Sequence, residues 1–393
     1  MLTLIRNAQV FSPDPLGFHE VLIGSGRVVA IAESIDISGK ELEVVDAGGM
    51  WLLPGLVDSL THPCGGGGEG GFGNRTAEVL PEAFIRAGVT TPVGALGTDS
   101  ITRNLDVLYG HVMTLRAHGI SAHMYSGSYR LPTPTLTGDI ARDLVLIEPV
   151  IGVGEVAIAD HRSSHLSMSE LRRLASDVQL GGVLSGKGGT VLMHIGDSES
   201  GLELIEQVLR DSDLPRRLFY PTHVNRQRAL LKQAIDYTGK GGYADITAST
   251  TPELLNAGEV PALEAFHQAI DAGSPATHLT FSSDAGGSLP HYEHGVLVGL
   301  KAAQPDSLLR LLQSSLADDR NAQHRIMQAM TRNPAEALHL HGKGRIQAGA
   351  DADLLLLEPG KFELIHVMGQ GRWLMRDGEI QQLKDTEYRG AHS

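Results

Sequence analysis

Apolar and polar residues alternate through the first fifty positions, the period-two pattern of a half-buried strand. Val21-Leu-Ile-Gly-Ser-Gly-Arg-Val-Val-Ala30 shows two such runs about Gly-Ser-Gly, which reads as a hairpin turn. The far end behaves alike: 353–357 is a buried-strand run, and 364–375 reads as two short strands about a glycine turn. Between these ends the pattern changes. Short apolar or β-rich runs recur at 55–58, 90–97, 121–127, 150–153, 190–194, 218–223, 243–247 and 278–283. They stand about 25–40 residues apart, which leaves room for a crossover helix each time. Helical periodicity fills several gaps, as at 201–210. Eight alternating βα units imply a parallel sheet, and favour a closed (β/α)8 barrel over a doubly wound open sheet. The expected division is a small β-sandwich built from 1–53 and 345–393, with 54–344 forming the α/β barrel.

In such a barrel the chemistry sits where the strands end. The residues there are His62, Tyr129, Glu155, His194, His223 and Asp284. Two histidines and a carboxylate on separate strands can close three sides of a zinc site and leave the fourth for water. Such an ion brings the pKa of water from 15.7 toward about 7, and a nearby Asp can take the proton and pass it to a leaving amine. A lone His at a strand end is more often a hydrogen-bonded structural residue. Three at three strand ends point to metal. Asp284 ends the last strand and is read as catalytic rather than as a loop cap.

Composition narrows the picture. The formal charge of -14 on 393 residues argues against a nucleic-acid partner, since phosphate binding needs a basic face. It leaves room for an anionic small substrate held by local arginines. No apolar run reaches the roughly 18 residues of a membrane helix, and the start carries no basic-then-apolar leader. A lone cysteine, Cys64, rules out an intrachain disulfide framework and fits a reducing cytoplasm. Its bland reading, a small buried loop residue, is preferred to a pocket role. Of the 18 His, His111, His118, His324 and His392 sit in polar or helical contexts and are expected to face solvent.

The pattern resembles the amidohydrolase superfamily, and within it the isoaspartyl (β-aspartyl) dipeptidases. The narrower likeness rests on Gly65-Gly-Gly-Gly-Glu69, Gly94-Ala-Leu-Gly-Thr-Asp-Ser100, Ile158-Ala-Asp-His-Arg162, His194-Ile-Gly-Asp-Ser198, Pro221-Thr-His-Val-Asn-Arg226 and Ser282-Ser-Asp-Ala-Gly-Gly-Ser288. The resemblance implies that His194 and His223 ligate a buried metal and that Asp284 is both ligand and general base. It implies that Glu69 receives the substrate's α-ammonium, with Gly67 and Thr98 beside it. Arg226, with Ser288, would clamp the aspartyl α-carboxylate, and Arg162 the leaving residue's carboxylate. Tyr129 would polarise the scissile carbonyl. Arginine suits a zwitterionic dipeptide because it holds carboxylate through paired, charge-assisted hydrogen bonds. The likeness also suggests a homo-oligomer.

Two departures stand out. The superfamily's strand-one His-x-His is Asp58-Ser-Leu-Thr-His62, so Leu60 replaces the first His with a side chain that has no lone pair. The bridging carboxylated lysine of isoaspartyl dipeptidases is missing from Val150-Ile-Gly-Val-Gly-Glu-Val-Ala157. Glu155 stands nearest its place, with one residue inserted before it. A plain Glu suffices for one metal, as in the similar N-acetylglucosamine-6-phosphate deacetylases. The expectation is therefore one Zn2+ per chain on Glu155, His194 and His223, with His62 a neighbouring group or weak ligand. The function expected is hydrolysis of β-aspartyl dipeptides. The alternatives are an N-acyl amino acid deacylase or cyclic-amide hydrolase of the same superfamily, and a catalytically impaired barrel that acts as a binding protein.

Overall fold

The computed structural model describes residues 2–293, 296–316 and 323–381. Eight parallel strands follow one another in chain order: β1 (Leu56–Thr61), β2 (Val89–Gly94), β3 (His123–Ser126), β4 (Val150–Ile158), β5 (Thr190–Ile195), β6 (Phe219–Thr222), β7 (Ala244–Thr247) and β8 (Leu279–Ser282). Each overlaps a run read from the sequence. The strands are apolar or threonine-rich almost throughout because helices cover one face and the barrel interior the other.

Strands β1 to β6 form one continuous ladder, and β7 and β8 form another. Isolated bonds close the two seams. Between β6 and β7, Val224 N donates to Asp245 O (3.2 Å) and Thr222 Oγ1 to Asp245 Oδ2 (2.7 Å). Between β8 and β1, Asp284 N donates to Leu60 O (3.1 Å) and His62 N to Ala285 O (2.6 Å). The fold is therefore an α/β barrel of the (β/α)8 kind. Its interior is packed by Val57, Leu60, Val93, Tyr125, Leu192 and Tyr220, and plugged below by Ala335 and Leu338. Leu60 is fully buried among these apolar groups.

The second unit is one nine-stranded, mainly antiparallel sheet from both ends of the chain. Strand Leu2–Phe11 pairs with Pro15–Gly24, and in parallel with both Leu42–Asp46 and Trp51–Pro54. Leu354–Leu357 then joins Trp51–Pro54, and Leu364–Gly369 and Arg372–Arg376 extend the sheet. The turn after Pro15–Gly24 is a two-residue loop with positive φ at Ser25 and Gly26, as its sequence required. Ile5, Val10, Val21, Leu52, Leu356 and Met368 give the sheet its own core. Residues 1–53 with 345–393, and 54–344, remain our proposed division. Of these, 382–393, including His392, lie outside the described residues. His111, His118 and His324 are half-buried at the surface.

One element was not expected: an antiparallel hairpin, Ser288–Glu293 with Val296–Ala302, directly after β8. No described helix is long and apolar enough to cross a membrane.

Candidate active site

Strand β4 carries one extra residue. Val191 of β5 pairs with Val153, but Met193 pairs with Val156, so a bulge falls at Gly154-Glu155. A bulge re-aims a side chain without breaking the strand. Here it delivers the fully buried carboxylate of Glu155 to the mouth of the barrel, between two imidazoles. Glu155 Oε1 lies 2.8 Å from His194 Nδ1 and 3.0 Å from His223 Nε2. Its second oxygen, Oε2, is buried and has no hydrogen-bond partner. His62 Nε2 stands 3.5 Å from that oxygen and 3.2 Å from Asp284 Oδ1.

Each histidine is held from its other nitrogen. His62 Nδ1 lies 3.0 Å from Ala95 O, His223 Nδ1 2.7 Å from Thr247 Oγ1, and His194 Nε2 3.0 Å from Asp160 Oδ2. Three ligand atoms, from Glu155, His194 and His223, lie within 4.8 Å of one another. The orphaned Oε2 and a donor set of two imidazoles and one carboxylate fit a divalent metal of the zinc type with a position left for water.

The electrostatics match this density of charge. Burial alone would raise the Glu155 pKa, but the charges and hydrogen bonds of His194 and His223 outweigh it and hold the group far below the usual carboxylate range. Burial depresses the His62 pKa, yet the hydrogen bond and charge of Asp284, with the charge of Glu155, lift it to about 9. Burial pushes the Tyr129 phenol well above its ordinary value, so it stays a neutral donor. The Tyr129 hydroxyl lies 2.8 Å from His194 Nδ1, at the Glu155–His194–His223 cluster itself.

Around this cluster the other expected residues fall into two groups. Glu69 Oε1 accepts from Thr98 Oγ1 (2.9 Å) and from Arg162 Nη1 (3.0 Å), while Glu69 Oε2 is buried and unpartnered. Arg162 also grips Asp160 through Nε (2.9 Å) and Nη2 (2.7 Å), and its guanidinium lies over the Tyr129 ring. On the far side, Arg226 is ion-paired through Nη1 to the buried Glu259, whose Oε1 has no partner. Ser288 begins the unexpected hairpin and is half-buried; no Ser288–Arg226 hydrogen bond occurs among the described residues. Gly67 lies in the glycine loop, bridged to Arg75, where a Cβ would meet Asn74 O at 2.8 Å. Cys64 is buried, and burial pushes its thiol to about 11.

Sequence reasoning assigned no role to Asp160, Glu259 or Thr247. Asp160 stood inside a quoted motif, between β4 and Arg162. Its hydrogen bond to a histidine 34 positions away becomes visible only in the fold.

A model of the amidohydrolase family matches residues 51–374. The chain is also similar to the solved structure of a β-aspartyl dipeptidase from Fervidobacterium islandicum AW-1 in complex with a β-Asp-Leu dipeptide. The two are 39% identical with a TM-score of 0.90, over 98% of this chain and 100% of that one. Another β-aspartyl dipeptidase structure from the same organism gives 37% and 0.89, at the same coverage. Among curated sequences, a dihydroorotase from Elusimicrobium minutum is 22% identical over 435 residues, 98% of this chain and 92% of that protein.

Proposed function

Because the chain belongs to the amidohydrolase family, and is a hydrolase of that superfamily, we propose that it cleaves the isopeptide bond of β-aspartyl dipeptides. The observation that carries this reading is the full-length likeness to the dipeptidase solved with β-Asp-Leu. Glu69 supports it, because a buried carboxylate oxygen without a partner suits an incoming ammonium group.

Glu155, His194 and His223 would hold one metal ion, in our reading zinc. Such an ion supplies Lewis acidity and lowers the pKa of its water toward about 7. Glu69 Oε2 accepts the substrate's α-ammonium. Arg226, held by Glu259 through one nitrogen, turns its other donors to the α-carboxylate, and in this reading Ser288 adds a second contact to that group. Arg162 reaches the leaving residue's carboxylate by exchanging its Nη1 contact with Glu69. Tyr129 donates to the scissile carbonyl oxygen as negative charge grows there. Asp284 accepts the proton of the attacking water. A bond forms from water oxygen to the carbonyl carbon, the C–N bond breaks, and Asp284 returns the proton to the leaving amine.

The dihydroorotase likeness favours a second reading, hydrolysis of a cyclic amide. Such a substrate carries no ammonium for Glu69. The test is to incubate zinc-loaded protein with a β-aspartyl dipeptide, its α-linked isomer and dihydroorotate. Aspartate released from the β isomer alone is expected. Opening of the cyclic amide without dipeptide cleavage would reject the proposal.

A further inference from the structure

The Asp160 carboxylate hydrogen-bonds to two residues, Arg162 and His194, with His161 Nδ1 3.6 Å from Oδ1. Oδ1 accepts from the backbone N (2.7 Å) and Nε (2.9 Å) of Arg162. Oδ2 accepts from Arg162 Nη2 (2.7 Å) and faces His194 Nε2 at 3.0 Å. Its side chain is only 4% exposed. With Nδ1 given to a metal ion, the single proton of a neutral imidazole sits on Nε2, where Asp160 Oδ2 is placed to accept it. Nδ1 points to the same place as Glu155 Oε1, 2.8 Å away, with the Tyr129 hydroxyl also at 2.8 Å. Arg162 Nη2 also lies 3.2 Å from His194 Nε2, but a guanidinium offers no acceptor and cannot hold the Nε2 proton.

We propose that Asp160 is the positioning residue of the metal centre: it fixes His194 as the Nε2–H tautomer and aims Nδ1 at the metal position. Arg162 braces Asp160 from the opposite side and, through Nη1, ties this unit to Glu69. The ammonium receptor and a metal ligand are thereby joined through two intervening side chains. Partners of this kind typically govern metal affinity by 10–100-fold. The inference rests on the metal-centre reading and is independent of the substrate.

Zinc affinity of the full chain, measured by competition with a chromophoric chelator, tests it without reference to turnover. Asp160→Leu removes the acceptor and is expected to weaken zinc by about 10–100-fold. Asp160→Asn keeps one oxygen acceptor without the charge and should fall between Leu and the parent. Arg162→Met leaves His194 its acceptor and should stay within about threefold of the parent. Circular dichroism of the metal-free variants separates misfolding from loss of affinity. Parent-like affinity in both Asp160 variants, or in Asp160→Asn alone if the Leu variant does not fold, overturns the proposal. So does an Arg162→Met loss equal to that of Asp160→Leu. A parent chain that takes up no zinc overturns the metal reading and this inference with it.

Discussion

Asp284 follows β8 by two residues, with φ at +56° and its amide tied to Leu60 O. That backbone sets the carboxylate beside His62. Under the proposed mechanism Asp284 is the base, and Asp284→Asn keeps its shape while removing that function, so hydrolysis of the β-aspartyl dipeptide should fall by about 10²–10⁴ in kcat with the circular dichroism unchanged. Glu69 makes a different prediction. Glu69→Gln should raise KM for a free-amine dipeptide and erase its advantage over the N-acetyl form, as steady-state kinetics on the pair would show. A third residue lies deeper. Asp58 is fully buried, and burial raises its carboxyl to about 7, with hydrogen bonds from Ser283 resisting and the charge of Asp245 adding. Its folded pKa thus exceeds the unfolded value of 3.8. The stability it lends is complete below that value and is lost as pH climbs through about 7. Asp58→Asn, an isostere of the protonated form, should therefore gain on the parent between these limits and hold the gain above them. Urea unfolding at about pH 4 and about pH 8 measures the difference.

The strap from β8 to the hairpin is tightly constrained. Gly286 has φ at +80°, and a Cβ there would stand 2.2 Å from His62 O; at Gly287 it would meet Asp284 Oδ1 at 2.4 Å. Gly286→Ala should cost about 1–2 kcal/mol for the left-handed backbone alone, and more as the strap is pushed off His62. Lowered Tm together with lowered kcat is the expected outcome. The eight strands were legible because buried parallel strands read as apolar runs at regular spacing. His194 and His223 stood out because they end those runs. The hairpin was not: Ser288–Glu293 contains Pro290 and polar residues, a composition that argues against a strand. Nor could pairings such as Arg226 with Glu259 be foreseen, since they depend on which loops meet above the barrel. The residue inserted before Glu155 was visible, but its expression as a bulge against β5 needed the register.

The two units of the molecule meet over a buried lysine. Lys343 Nζ lies 2.6 Å from Asp353 Oδ2, 2.9 Å from Asp351 Oδ2 and 2.6 Å from Ser121 Oγ just before β3. Elsewhere Trp51 packs against Phe11 and edge-on against Phe362. Lys343→Met leaves two carboxylates without their cation and should destabilise the fold by about 3–5 kcal/mol, while kcat per folded molecule holds; denaturant midpoint and active-site titration check both halves. The sheet that this lysine anchors has a further property. Leu52 pairs with Leu356, about 300 residues later in the chain. On a ribosome adding about 5–20 residues per second, the N-terminal strands emerge and then wait about 15–60 s for their partners. Throughout that interval an apolar strand edge stands open to any other nascent chain. Synthesis rate therefore bears on how much of this protein reaches its folded form, alongside the stability of the finished barrel.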